Sequence, residues 1–253
     1  MDNIKAIFFD LSGVIYEGKR LIPGASDVIY RLRKTHFQLR FVTNTATKNT
    51  ETILSELCEM GIQVHANELF TAPMAVKQYL LQEQLRPKLV VHPNIISEFS
   101  DLNCDNPNCV VMGDARDQLH YQSLNEIFQM CHAGMPLIGI GMNKYFKDEN
   151  GLQLDAGPFI RAIEWAAGVD AIIMGKPNLI FFQAVVESTG LAESQCLMIG
   201  DDVISDVNGA VEAGLFGVLV KTGKYLIGDE KKLLKGGIVF DDLAEWENNI
   251  FRS

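Results

Sequence analysis

Short apolar runs that stop abruptly at polar residues alternate along the chain with longer stretches of helical period. Residues 5–10 form the first such run and end on the carboxylate of Asp10. Residues 23–34 open with Pro-Gly and place Val28, Ile29 and Leu32 on one helical face. Residues 38–43 predict the next strand, and residues 50–60 put Ile53, Leu54, Leu57 and Met60 on one stripe, with Gly61 positioned as a left-handed stop. A βαβα opening of this kind predicts a parallel sheet with helices on both faces and ligands gathered at the carboxyl ends of the strands.

The middle of the chain repeats the alternation. Strands are expected at residues 89–92, 110–113 and 137–141 and helices near 121–132 and 158–167, with no strand there ending in a reactive group. The final third resumes with strands at 171–175, 196–200 and 215–221 and helices near 179–189 and through Val211. Internal repeats, low-complexity tracts and long polar linkers are absent from the sequence, so a second domain has to be an insertion tied by two short crossings. The pattern predicts an α/β protein with a Rossmann-like three-layer core and parallel sheet. Residues 1–72 and 174–253 are assigned to that discontinuous core and residues 73–173 to an inserted α/β domain.

Composition narrows the function classes. A chain of 253 residues, 47% hydrophobic, corresponds to roughly 1.7 domains at about 150 residues each. Its 22 Lys+Arg against 32 Asp+Glu give a formal charge of −10 with no basic cluster, which argues against nucleic acid as a partner. The longest apolar stretches, near residues 4–9 and 215–220, are far short of the eighteen or so needed to span a bilayer, so no membrane partner is expected. The start Met1-Asp2-Asn3-Ile4-Lys5 carries an acidic residue early and runs straight into a strand, unlike a signal peptide. Five cysteines without metal-type pairing suit a reducing, cytoplasmic compartment. Cys104 and Cys109 lack the second pair or the His that zinc needs. The histidines at 36, 65, 92, 120 and 132 stand beside no motif and read as surface or structural residues.

Chemistry concentrates where four strands end: Phe8-Phe9-Asp10-Leu11-Ser12-Gly13, Phe41-Val42-Thr43-Asn44-Thr45, Met174-Gly175-Lys176-Pro177 and Met198-Ile199-Gly200-Asp201-Asp202. In a parallel sheet these ends converge on one crevice. Carboxylates clustered there repel one another unless a cation sits between them, and oxygen-only ligands favour Mg²⁺. Thr43 and Lys176 are suited to hold phosphoryl oxygens, by hydroxyl donation and by point charge. Each residue also has an ordinary structural reading. Asp10 can be an N-cap, Asp201-Asp202 with Asp206 a solvated helix start, and Lys176 a surface lysine. Their joint occurrence in this order, each after an apolar run, favours the functional reading.

The four segments resemble the four motifs of the haloacid dehalogenase superfamily, whose hydrolases use a strand-end Asp as nucleophile. The resemblance covers nearly the whole chain. The roughly 130 residues between the second and third motifs imply a large α/β cap of the C2 type found in the NagD-like branch. Within that branch, Asp10-Leu11-Ser12-Gly13-Val14, residues 141–146 and 151–159, Gly175-Lys176-Pro177, Ile199-Gly200-Asp201-Asp202 and Val220-Lys221-Thr222-Gly223-Lys224-Tyr225 are similar to two groups. These are the phospholysine phosphohistidine inorganic pyrophosphate phosphatases and the haloacid dehalogenase-like hydrolase domain-containing proteins, which the residues do not separate.

The resemblance implies a Mg²⁺-dependent phosphatase working through an aspartyl-phosphate. Asp10 is then the nucleophile and, with the Ser12 backbone carbonyl and Asp201, a metal ligand. Thr43, Asn44 and Lys176 hold the phosphoryl group, helped by backbone N–H groups after Asp10 and by Gly13. Asp202 or Asp206 orients Lys176 or a metal-bound water, and spacing leaves that choice open. Asn143, Lys144 and Tyr145, with the helix start at Asp155, are candidates to face the phosphate from the cap, although Asp155 reads equally well as a plain N-cap. The resemblance admits a homodimer through the cap, and the oligomeric state stays open.

The departure is Ser12, where most phosphatases of the superfamily carry an Asp that protonates the leaving group and then activates water. A serine hydroxyl does neither at neutral pH, so general acid–base help of about 10²–10⁴ in rate is missing unless another group supplies it. Substrates whose leaving group departs without an added proton, such as pyrophosphate and P–N compounds like phosphohistidine and phospholysine, are expected to suffer least. Two other classes remain open: a metal-independent dehalogenase-like hydrolase using Asp10 on carbon, and a catalytically weak regulatory protein that binds a phosphorylated ligand.

Overall fold

The computed structural model describes residues 3–148 and 151–251; Met1 and Asp2 of the N-terminal segment discussed above lie outside them. Strand β1 (Ala6–Asp10) leads through a small hairpin of β2 (Tyr16–Glu17) and β3 (Arg20–Leu21) to helix α1 (Ala25–Leu32), strand β4 (Gln38–Thr43), helix α2 (Thr50–Glu59) and strand β5 (Leu69–Thr71). The middle runs α3 (Ala72–Gln82), β6 (Pro87–Val90), β7 (Cys109–Met112), α4 (Tyr121–His132), β8 (Leu137–Gly139), a hairpin of β9 (Tyr145–Asp148) and β10 (Gly151–Leu154), α5 (Ala156–Ala167) and β11 (Ile172–Ile173). The last part holds α6 (Leu179–Glu187), β12 (Cys196–Gly200), a wide π-helical turn (Val203–Asn208) continuing into α7 (Gly209–Glu212), β13 (Phe216–Val220), β14 (Gly237–Phe240) and α8 (Leu243–Phe251).

The chain forms two compact units. The first comprises Met1–Thr43, Glu51–Phe70 and Lys176–Ser253, and the second Asn44–Thr50 and Thr71–Gly175. Compared with the expected division at 72/73 and 173/174, the borders move by two residues and the stretch 44–50 joins the second unit. The cause of that reassignment is local. Thr50 N–H donates to Glu98 Oε1 at 2.6 Å and Asn94 Nδ2 donates to the Thr47 carbonyl at 3.2 Å, so this loop is anchored to the inserted segment.

The sheet of the first unit has the order β14-β13-β12-β1-β4-β5, and β1, β4, β12, β13 and β14 run parallel. Strand β1 lies in the middle and is buried on both faces, which is why Ala6-Ile7-Phe8-Phe9 is uninterrupted by polar residues. Alternation sorts its side chains. Ile7 and Phe9 join Phe41, Ile199 and Val218 in a core closed by Val28 and Leu32 of α1, Ile53 and Leu57 of α2 and Trp246 of α8. Leu219, pointing the other way, packs with Val203 and Val207 of the π-turn. Helix α1 starts from Gly24, whose φ of +82° suits glycine, and Gly61 after α2 has φ +84°, the expected left-handed stop.

The second unit has its own parallel sheet, ordered β11-β8-β7-β6, with Val90, Val110, Met112 and Leu137 packed against Ile127 and Cys131 of α4 and Ile160 and Ile163 of α5. The hairpin of β9 and β10 is antiparallel and pairs Tyr145 with Leu154. Helix α5 begins at Ala156, two residues ahead of the expected start, because the Asp155 side chain caps it by accepting from the Ala156 N–H at 2.6 Å. Among the described residues no helix is long and apolar enough to cross a membrane.

Phe41 is fully buried and stacks on Phe9 with 5.7 Å between ring centroids, so Phe41→Ala opens a cavity at the centre of the larger core. We expect a loss of about 3–5 kcal/mol in urea unfolding, against less than about 0.5 kcal/mol for Trp165→Ala, whose ring is 90% exposed.

Candidate active site

The parallel register brings four polar strand ends to one edge of the larger sheet. Asp10, last residue of β1, lies opposite Val42, so Thr43 follows one step beyond it on β4. On the other side Phe9 pairs with Ile199, and β12 then runs out through Gly200 into Asp201. Asp10, Thr43, Lys176, Asp201 and Asp206 are all buried.

Lys176, just before α6, is the hub. Its ammonium bonds the Asp10 Oδ1 and, at 2.7 Å, Asp206 Oδ1. The other oxygen of Asp206 accepts from the Asp202 N–H at 3.2 Å. Asp206 reaches the sheet because Gly200 has no side chain: a Cβ there would lie 2.1 Å from the Asp206 Cβ. Carboxylate oxygens of Asp10, Asp201 and Asp206 lie within 4.8 Å of one another, the one cluster of three or more potential metal ligands among the described residues.

Three carboxylates crowd one buried ammonium, an excess of acid that shows as raised pKa values. Burial pushes the Asp10 carboxyl up to about 6, against the attraction of Lys176, and Asp206 adds to the rise. Asp201 is driven to about 8 by burial first, then by the charges of Asp10 and Asp206. Burial works against the Lys176 ammonium too, but Asp10 and Asp206 outweigh it and hold its pKa above the usual lysine value. A divalent cation with a preference for oxygen would cancel this excess. The donor set is therefore the kind that fits Mg²⁺.

The arrangement separates the two acids whose roles the sequence left open. Asp206 holds Lys176, whereas Asp202 caps the π-turn by accepting from the Ile204 and Ser205 N–H groups, both at 3.0 Å. Ser12 is exposed on the turn after β1, and Gly13 spends its own N–H on the Tyr16 carbonyl at 2.7 Å. Asn44 belongs to the second unit, where a Cβ on Gly175 would come within 2.9 Å of its Oδ1. Asn143, Lys144 and Tyr145 are exposed at the start of the β9–β10 hairpin; the Asn143 carbonyl accepts from Gly157 N–H at 3.0 Å and that of Lys144 from Asp155 N–H at 3.3 Å. His92 and His120 cap helical turns through Nδ1, a structural use.

One expectation for the middle of the chain fails. Asp114, two residues beyond β7, is a buried carboxylate, raised in pKa by burial, and pairs with Arg116 at 3.2 Å. Arg116 sits at φ +51° with its guanidinium 4.2 Å from the Phe146 ring centroid. The strand end Val111-Met112-Gly113-Asp114 has the same form as Met198-Ile199-Gly200-Asp201, and that likeness was the signal for it in the sequence. The loop after β13, which the sequence offered only as part of the resemblance and without a role, also reaches the site. The Lys224 N–H donates to Asp201 Oδ2 at 2.6 Å, and the signal available in sequence was the Thr-Gly pair at a strand end.

Lys176→Met takes the ammonium partner from the buried Asp10 and Asp206, and for Asp10 it removes the attraction that opposes burial, raising its folded-state pKa further above the unfolded value of about 4. The folded variant then binds more protons than the unfolded chain, so its stability falls as pH rises. In metal-free urea unfolding we expect a deficit of about 3–5 kcal/mol at pH 7.5 that shrinks at pH 5. Equal midpoints for variant and wild type at pH 7.5 would refute the pairing.

Comparison with known proteins agrees with this geometry. A family model described as haloacid dehalogenase-like hydrolase matches residues 7–105, and a second, HAD-hydrolase-like model matches residues 173–246. The human haloacid dehalogenase-like hydrolase domain-containing protein 2 is 39% identical over 91% of this chain and 89% of its own length. Human phospholysine phosphohistidine inorganic pyrophosphate phosphatase is 35% identical over 96% and 93% respectively. Among solved structures, 4-nitrophenylphosphatase from Thermotoga maritima superposes with a TM-score of 0.89 at 25% identity, covering 98% of this chain and 97% of that one. The Mycobacterium tuberculosis glycerol phosphate phosphatase, solved in complex with magnesium, shares the fold with a TM-score of 0.84 at 23% identity, over 96% and 77%. With its acid-and-lysine cluster at the strand ends and these relatives along nearly its whole length, the chain belongs to the haloacid dehalogenase-like hydrolases.

Proposed function

We propose that this protein is a Mg²⁺-dependent phosphatase that works through an aspartyl-phosphate on Asp10 and favours P–N compounds and pyrophosphate. The observation that carries the reading is the buried trio Asp10, Asp201 and Asp206 around Lys176, a site with more carboxylates than ammonium groups and oxygen donors only. Asp10 and Asp201, with the Ser12 backbone carbonyl, would hold the metal, which when bound supplies charge neutralisation at the phosphoryl oxygens. An Asp10 oxygen attacks phosphorus, the bond to the leaving group breaks with its electron pair on that group, and water then releases phosphate and restores the carboxylate. Lys176 binds the transferring group as its equatorial oxygens gain charge, and Asp206 keeps the ammonium aimed. Thr43 and Asn44 complete the phosphoryl site, and residues 73–173 act as a C2-type cap that selects substrates. Five free thiols suit a reducing, cytoplasmic setting.

Phosphate release from pyrophosphate, phosphohistidine, phospholysine and p-nitrophenyl phosphate tests the reading. We expect turnover that needs Mg²⁺, vanishes in Asp10→Asn and ranks by how readily the leaving group departs. Turnover unaffected by EDTA would point to carbon chemistry on Asp10, and a single turnover to a phospho-ligand-binding protein. Ser12→Asp restores an acid at the usual position, so it should raise turnover of alkyl phosphates by up to about 10²–10⁴ and that of phosphoramidates much less. An equal gain on both would sink the proposed role of Ser12 in substrate choice.

A further inference from the structure

The side chain of Asp201 is enclosed by two loops that belong to different strand ends. Gly13, on the turn after β1, has φ +93°, and a Cβ there would lie 1.9 Å from Asp201 Oδ2. Gly223, after β13, has φ +55°, and its Cβ would come within 2.1 Å of the same oxygen and 2.4 Å of the Gly13 Cα. No side chain of any size fits at either place. The two backbones close on the carboxylate, and the Lys224 N–H donates to Oδ2 at 2.6 Å. The loops are also tied to each other: the Thr222 hydroxyl donates to the Gly13 carbonyl at 2.5 Å. Tyr225 N–H donates back to the Thr222 carbonyl at 3.1 Å, which fixes the turn presenting the Lys224 amide.

We infer that residues 222–224 form a positioning clamp that sets the orientation of the Asp201 carboxylate and, through it, the affinity of the site for Mg²⁺. The inference rests on the metal reading given under the proposed function. An amide bond to one oxygen leaves the carboxylate a single orientation, and a ligand held in its bound orientation loses less freedom when the cation arrives. Outer partners of metal ligands of this kind are typically worth 10–100-fold in metal affinity. Thr222 and Lys224 act through Asp201 and are positioning residues. The hydroxyl matters because it fastens the Lys224 turn to the same loop that carries Asp10.

The test is calorimetric titration of the full chain with MgCl₂, without substrate, for wild type, Thr222→Val, Thr222→Ser and Gly223→Ala. Thr222→Val keeps the shape and removes the donor, and it should weaken Mg²⁺ binding about 10-fold or more. Thr222→Ser restores the donor and should recover most of that loss. Gly223→Ala should weaken binding further if it folds; Thr222→Val keeps the test open if it does not. Under turnover, Thr222→Val should lose rate at low Mg²⁺ and regain it at saturating Mg²⁺. A Thr222→Val protein that melts earlier but binds Mg²⁺ as wild type does would overturn the clamp and leave the metal reading standing. Failure of the wild type to bind Mg²⁺ would overturn both.

Discussion

The ammonium of Lys176, buried between Asp10 and Asp206, is the interaction on which the rest of the site depends. It joins three distant parts of the sequence: the end of β1, the residue where the chain re-enters the first unit, and the π-turn after β12. Buried ion pairs are weak contributors to stability, since desolvation offsets most of the attraction. This one also stands beside a third buried carboxylate, Asp201. A fold gains nothing in stability from such an arrangement; what it gains is a site with a strong field for an oxygen-binding cation. The glycines follow from that geometry. Gly200 lets Asp206 reach the sheet, while Gly13 and Gly223 let two loops close on Asp201.

Much of the fold was legible because strong periodicity and clear stops coincide. Strands at 38–43 and 196–200 and the helix at 121–132 have the bounds that the hydrophobic pattern predicts. The elements that escaped notice lack that pattern. Helix α3 buries Ala72, Pro73, Ala75, Val76 and Leu80, small or evenly spread side chains that draw no clean stripe. In the β9–β10 hairpin Leu152 and Leu154 are exposed, so the alternation that usually marks a half-buried strand is reversed. Strand β14 is four residues, beginning in a Gly pair and followed by an Asp pair, too short for a periodicity to appear.

The candidate site was legible in kind but not in detail. Asp10, Thr43, Lys176 and Asp201 come together as strand-end placement requires. The choice between Asp202 and Asp206 could not be made from spacing, because four residues apart on a regular helix both could face one way. The π-turn breaks that equivalence. Asp202 turns back to cap it, and Asp206, one turn on, faces the sheet over Gly200. Likewise, Asp114 and Arg116 carry no helical or strand period that a pattern could reveal. Arg116 adopts a left-handed conformation that a non-glycine residue holds only when its surroundings enforce it, here an ion pair and an aromatic face.

On the proposed reading, the proton work of phosphate transfer is what Ser12 withholds, and the geometry says why Lys176, Asp206 and Asp201 do not replace it. Lys176 has a pKa held high by two carboxylates, so it remains an ammonium through neutral pH and gives up no proton to a leaving group. Asp206 has one oxygen on Lys176 and the other on the Asp202 amide, so it is not placed to activate water. Asp201 is clasped between two glycine loops. Asp206 and Asp201 are thus held by the structure around them, and Asp10 is the attacking group. With Ser12 where a general acid usually stands, the chemistry divides unevenly: attack at phosphorus is well provided for, and expulsion of a poor leaving group is not. Selectivity for leaving groups that need no proton then follows from one side chain after β1, whatever the cap adds to it.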